Sequence, residues 1–295
     1  MMLCRSSLLF LLPALLAAQP ERARPTSSLP PISVPWESEL HTKDVDNKPF
    51  PGHKIIGNLY YVGTADYASF LITSDQGHIL INPDFDDSVP LIQKSVEQLG
   101  FKFQDIKILL ISHAHGDHAA GAARVKELTG AQYMVMDRDV PVVEAGGRGS
   151  PAAKVSRILH DKDEVRLGGN VLTAYLTPGH TKGCTTWTMK IQEGGKSYNV
   201  VIVGSAGVND ANELFTNKNY PTMVDDYVQT FRVLRSLPCD VFLVAHGKMY
   251  GLPQKFAKLQ QGGPNPFIDP EGYKAHVDLC ERAFYYKADW AKRAK

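Results

Sequence analysis

Apolar positions recur with two different periods along this chain, and their alternation predicts a layered α/β protein. Three β-rich runs, 55–62, 69–74 and 78–82, are punctuated by Gly, Asp and Asn, which marks an antiparallel meander. Residues 89–99 carry helical apolar spacing, whereas 106–112 is the nearly unbroken apolar run of a buried strand. A short helix over 119–128 closes at Gly130, and a further strand follows at 132–136. The pattern then partly repeats. Hairpins are expected over 165–176, turning at Gly168-Gly169, and over 185–203, turning at Gly194-Gly195. A helix over 222–237 sets Val224, Tyr227, Val228, Phe231 and Leu234 on one face, a strand spans 241–245, and a last helix spans 273–290. Two strand-rich halves with accompanying helices imply two sheets packed together with helices outside.

The first 18 residues follow a different rule. Arg5 precedes an 11-residue apolar run, Leu8 to Ala18, that ends in small residues, the layout of a secretory signal peptide cleaved near Ala18. The run is too short to span a membrane comfortably, so no membrane association is expected after cleavage. Cys4 precedes the run and is badly placed for lipid attachment. Residues 19–50, with six prolines, form an irregular arm, and 51–295 are expected to form a single domain. A periplasmic or secreted location follows.

Composition adds exclusions. At 43% hydrophobic and 21% charged, the chain is neither disordered nor fibrous. Its formal charge of +1, or 0 after loss of Arg5, gives no electrostatic case for nucleic acid. Only Cys184, Cys239 and Cys280 survive cleavage; an oxidising compartment permits one bridge among them, and the sequence alone does not choose the pair.

The candidate chemistry lies in Ser-His-Ala-His-Gly-Asp-His, residues 112–118, directly after the apolar strand. Three imidazoles and a carboxylate within six residues at the end of a strand offer the nitrogen and oxygen donors that zinc prefers. His113 and His115 can converge on one ion, while Asp117 and His118 are offset toward a second. Four groups cannot complete two shells. His180, in Thr-Pro-Gly-His-Thr, and His246, after the strand at 241–245, also follow strands and can reach the same edge. His41, His53, His78, His160 and His276 read as ordinary surface or packing residues.

At these residues the chain resembles the metallo-β-lactamase superfamily, whose signature is His-x-His-x-Asp-His. Further stretches narrow the resemblance to class B enzymes of the third subclass. They are Gly-Asn-Leu-Tyr-Tyr-Val-Gly-Thr at 57–64, Thr-Pro-Gly-His-Thr-Lys-Gly-Cys-Thr-Thr-Trp at 177–187, Leu-Pro-Cys-Asp-Val at 237–241 and Asn-Pro-Phe-Ile-Asp-Pro at 265–270. The resemblance implies an αββα sandwich of two mixed sheets and two zinc ions per chain. His113, His115 and His180 would hold the first ion; Asp117, His118 and His246 would hold the second. The lack of a cysteine at the second site argues against the commonest subclass.

The implied activity is hydrolysis of penicillins, cephalosporins and carbapenems by a monomer. Zinc-activated water would be the nucleophile, Asp117 would help to orient it, and Ser205 would either contact the substrate or serve as a structural turn serine. A thioesterase like glyoxalase II, or a lactonase, is the alternative, since both share the short histidine signature. The resemblance also pairs Cys239 with Cys280 and leaves Cys184 a thiol.

Four departures from the family pattern stand out. Asn82 replaces an aspartate that supports the metal ligands in many relatives, which would lower the basicity of those ligands. Gly116 replaces a larger residue and would open space beside the metals. Lys182 replaces a proline; it is either a solvated lysine on the rim or a positive charge brought toward a substrate carboxylate. The segment 144–154 is short where relatives carry a longer substrate-covering loop.

Overall fold

The computed structural model describes residues 43–147, 150–208 and 213–293. The expected leader, 1–18, and most of the expected arm, 19–42, lie outside the described residues. Within them the apolar runs become two sheets. The first has seven strands, adjacent in chain order: β1 (His53–Ile56), β2 (Leu59–Tyr61), β3 (Phe70–Ile72), β4 (His78–Ile81), β5 (Ile106–Leu110), β6 (Gln132–Met136) and β7 (Arg157–Leu159). Strands β1 to β4 pair antiparallel and β4 to β7 parallel. The second sheet comprises β8 (Glu164–Leu167), β9 (Asn170–Leu176), β10 (Thr185–Glu193), β11 (Lys196–Val203) and β12 (Val241–Val244), also in chain order. Only β11 and β12 run parallel there, with Val203 opposite Val244.

The helices are α1 (Lys43–Asp46), α2 (Val89–Gln98), α3 (Gly116–Ala119), α4 (Ala122–Thr129), α5 (Val140–Ala145), α6 (Met223–Ser236), α7 (Leu252–Gln260) and α8 (Pro270–Arg293). Side-chain alternation decides which layer each strand residue serves. Phe70, Ile72, Ile108 and Leu110 join the core shared with Leu172, Ala174 and Trp187 of the second sheet. Leu71, Leu80 and Leu109 point the other way and pack under Val89, Ile92 and Val96 of α2 and Val125 of α4. Tyr227, Phe231 and Leu234 of α6 and Val277 and Phe284 of α8 pack with the second sheet. Both faces of the central strands are therefore covered, which is why they read as unbroken apolar runs. The αββα sandwich is the expected fold.

Trp187 joins the two layers at the end that carries function. Its ring is buried and its Nε1 donates to Ile111 O, just past β5, at 3.1 Å. Beside it Thr185 N donates to Ser112 O at 2.7 Å. Loss of a packed tryptophan of this kind costs about 3–5 kcal/mol.

Several expectations change. The run 55–62 is not one strand: Gly57 breaks it into the β1–β2 hairpin at φ 52°. A Cβ there would lie 2.4 Å from Ile191 Cγ2, so glycine is needed for conformation and for space. The helix expected over 119–128 is two, α3 and α4, the second capped by Gly130 at φ 70° with its N–H on Lys126 O. The structure also forms no Cys239–Cys280 bridge. Cys239 Sγ instead donates to Val241 O at 3.4 Å, and Cys280 Sγ lies 3.7 Å from His276 Nε2 on its own helix. Cys184 is a buried thiol, as expected. Among the described residues no helix is long and apolar enough to cross a membrane.

Candidate metal centre

Three strand ends and one short helix bring six donor side chains together. His113 and His115 follow β5, Asp117 and His118 lie in the single turn of α3, His180 follows β9, and His246 follows β12. The imidazoles of His113, His115 and His180 form a triangle, with ring centroids 4.6–4.8 Å apart and ligand atoms within 4.8 Å of one another. Beside it, Asp117 Oδ2 lies 3.2 Å from His118 Nε2 and 3.4 Å from His246 Nε2, and those two nitrogens are 3.2 Å apart. The rings of His113 and His118 are 4.3 Å apart, so the two triads adjoin.

The donor set fits metal ions. A tetrahedral shell with metal–donor distances of about 2.0–2.2 Å separates neighbouring donors by about 3.3–3.6 Å, close to the spacing of the Asp117–His118–His246 triangle. Buried polar atoms ordinarily have partners, yet His113 Nε2 is buried without a hydrogen bond. Tautomers are fixed to suit. His180 Nδ1 donates to Gly207 O at 3.0 Å, which leaves its Nε2 lone pair for the centre, and His246 Nδ1 donates to Asp66 Oδ2 at 2.8 Å, which turns its Nε2 toward Asp117.

Electrostatics separates the triads. Burial, reinforced by the neighbouring imidazoles, holds His113 well below its ordinary pKa, and burial with His115 lowers His180 to about 3. These rings are neutral donors. Burial also opposes charge on His246, but the hydrogen bonds it donates to Asp117 and Asp66 outweigh it and raise that group to about 10. Burial alone would raise Asp117, yet His118 and His246 hold it well below the usual carboxylate range.

Asp66 escaped the sequence reading. It is fully buried, binds His246 through Oδ2, and accepts Lys248 N through Oδ1 at 2.8 Å. Lys248 Nζ in turn pairs with Asp46 at 2.8 Å. A lone acid in the loop 62–69 carries no spacing signal, because its partner is 180 residues away. Tyr220 was also missed: its hydroxyl donates to Thr181 O at 3.4 Å, beside the His180 loop.

Each of the four departures has a definite place in the structure. Asn82 touches no ligand side chain. At φ 61° it donates from Nδ2 to Ala68 O and accepts Ser112 N on Oδ1, which ties the end of β5 to the β2–β3 loop. An aspartate could not make the donor half of that pair, so the amide positions backbone and leaves ligand basicity alone. Gly116 opens no floor: a Cβ there would meet Ser150 Oγ at 3.1 Å and Phe85 Cε1 at 3.5 Å, so neighbours already fill the space. Lys182 is exposed, with its ammonium 5.5 Å from the centroid of the Tyr220 ring. Ser205 is only 3% exposed and offers little surface to a ligand. Ser150, from the segment 144–154, lies beside Gly116.

Known proteins resemble this chain in sequence and in fold. The family model described as the Metallo-beta-lactamase superfamily matches residues 62–246. The native FEZ-1 metallo-β-lactamase from Legionella gormanii superposes with a TM-score of 0.82 at 48% identity, over 83% of this chain and 98% of that one. BJP-1, a subclass B3 metallo-β-lactamase of Bradyrhizobium japonicum, gives 0.80 at 36% identity, over 84% and 97%. A probable hydroxyacylglutathione hydrolase of Schizosaccharomyces pombe is 28% identical over 125 residues, 41% of this chain. That match spans only 43% of the yeast protein's length.

Proposed function

The chain belongs to the metallo-β-lactamase superfamily, whose members are metal-dependent hydrolases, and from that premise we propose that it is a zinc-dependent β-lactam hydrolase. The observation that carries this reading is the likeness to a metallo-β-lactamase across 98% of that enzyme's chain, at 48% identity. The likeness to the hydroxyacylglutathione hydrolase covers less than half of that protein. Two zinc ions per chain are proposed, one on His113, His115 and His180 and one on Asp117, His118 and His246.

Bound zinc would supply a Lewis acid and an activated water. The chain's own residues do the rest. Asp117, kept ionised by His118 and His246, would orient the water toward the ring carbonyl. Hydrolysis adds water oxygen to that carbon, breaks the amide C–N bond and delivers a proton to the departing nitrogen. Lys182 stands on the rim with a positive charge for the carboxylate common to β-lactams, while buried Ser205 is less accessible for that role. Export to the periplasm or the exterior, suggested by residues 3–18, would place the enzyme where these substrates arrive.

The test is a substrate panel. Zinc-loaded protein should open a penicillin and a carbapenem in an absorbance assay and lose that activity to a chelator. Efficient cleavage of a glutathione thioester, with none of either β-lactam, would replace this reading with the thioesterase one.

A further inference from the structure

One carboxylate outside both triads ties together the two loops that carry the first of them. Asp139 closes the 3-10 turn Asp137–Asp139 after β6 and is 1% exposed. Its Oδ2 accepts Ala114 N at 2.9 Å and Thr181 Oγ1 at 2.8 Å; its Oδ1 accepts Gly183 N at 2.8 Å. Ala114 lies between His113 and His115, and Thr181 directly follows His180. Three donors from two loops thus end on a single side chain that touches none of the imidazoles.

A second observation shows that this approach is built in. A Cβ at Gly183 would sit 2.6 Å from Asp139 N and 2.7 Å from its Cβ and Cγ. Gly183 does not need glycine for a left-handed backbone, so close approach to Asp139 accounts for the residue. Buried charge-assisted hydrogen bonds are among the stronger and more directional contacts a side chain makes. The His246 loop has a different anchor, Asp66.

We infer that Asp139 is a positioning residue for the first metal site: it fixes the His113–His115 segment against the His180 loop. The inference rests on the proposed assignment of these three histidines to one zinc ion. An amide at this position offers one acceptor oxygen where three donors converge, so Asp139→Asn should let the loops separate without adding bulk.

The experiment isolates the first site by working in a His246→Ala background, which cripples the second. Zinc affinity of metal-free protein is measured by competition with a chromogenic chelator, with and without Asp139→Asn. The expected result is about tenfold weaker zinc binding on adding Asp139→Asn, in the range found when partners of metal ligands are removed. In a His113→Ala background, which reports the second site, the same change should shift affinity less than about twofold. Equal weakening in both backgrounds, or unchanged first-site affinity in folded protein, would overturn the inference. Absence of zinc binding in His246→Ala alone would overturn both the inference and the site assignment beneath it. If Asp139→Asn does not fold, Thr181→Val decides: it removes one donor of three and should weaken the first site about threefold, and no change would count against Asp139.

Discussion

Histidine is buried in two quite different places in this molecule. At the metal corner, His113 is 1% exposed and packed among His115, His118 and His180. Some distance along the core, His53 is 5% exposed and lies between Tyr61 and Phe267, with ring centroids 5.4 and 5.7 Å away, and against Phe256 at 4.7 Å. Burial lowers the pKa of both rings, to about 4 for His53. Depressed basicity alone therefore does not mark a site. What differs is the company: His53 spends its Nδ1 on Pro51 O and faces carbon rings, whereas the ring nitrogens of the corner face one another and a carboxylate. Several nitrogen and carboxylate donors converging in one buried place suit a cation.

The sharpest way to break this comparison is to remove one ring from each place. His113→Ala should cut zinc content from two ions per chain to about one and β-lactam turnover by more than about a hundredfold, beyond what loss of a mere supporting partner does. His53→Phe should leave zinc content unchanged. Metal analysis and steady-state kinetics on both variants check this, and equal effects would erase the distinction.

A smaller effect is expected one layer out. Asp66→Ala removes the acceptor that fixes the His246 tautomer, and zinc affinity of the second triad should fall about 10–100-fold. Chelator competition in a His180→Ala background reads that site alone. An affinity within a factor of two of the parent would show that Asp66 is structural only.

Legibility in the sequence followed the reach of local patterns. His113, His115, Asp117 and His118 share one segment after a strong apolar strand, and His180 and His246 each follow strands too, so one strand edge was predictable. Asp66 was not, because only the fold brings it to His246. Asp139 was hidden for the same reason, its partners lying 25, 42 and 44 residues away. Gly116 was misread as open space because the side chains that fill it, Phe85 and Ser150, come from other loops. Strand and helix order was clear wherever a face was continuously buried. The breaks at Gly57 and between α3 and α4 were lost inside longer apolar or motif-bearing runs.

The packing role of His53 makes the third and smallest prediction, on stability. Its folded pKa of about 4 lies below the ordinary 6.5, so between these values the unfolded chain binds the extra proton. Its contribution is complete above pH 6.5 and is lost as pH falls toward 4, by up to about 3 kcal/mol. Denaturant unfolding with chelator present should show a shallower loss on acidification for His53→Phe than for the parent. Parallel curves would mean that His53 is not titrating in the core.

Zinc uptake by metal-free protein tests the two-triad account most directly. Titration followed by calorimetry should show two equivalents bound per chain, with His246→Ala reduced to one. A single equivalent in the parent protein, or two retained in His246→Ala, would contradict it.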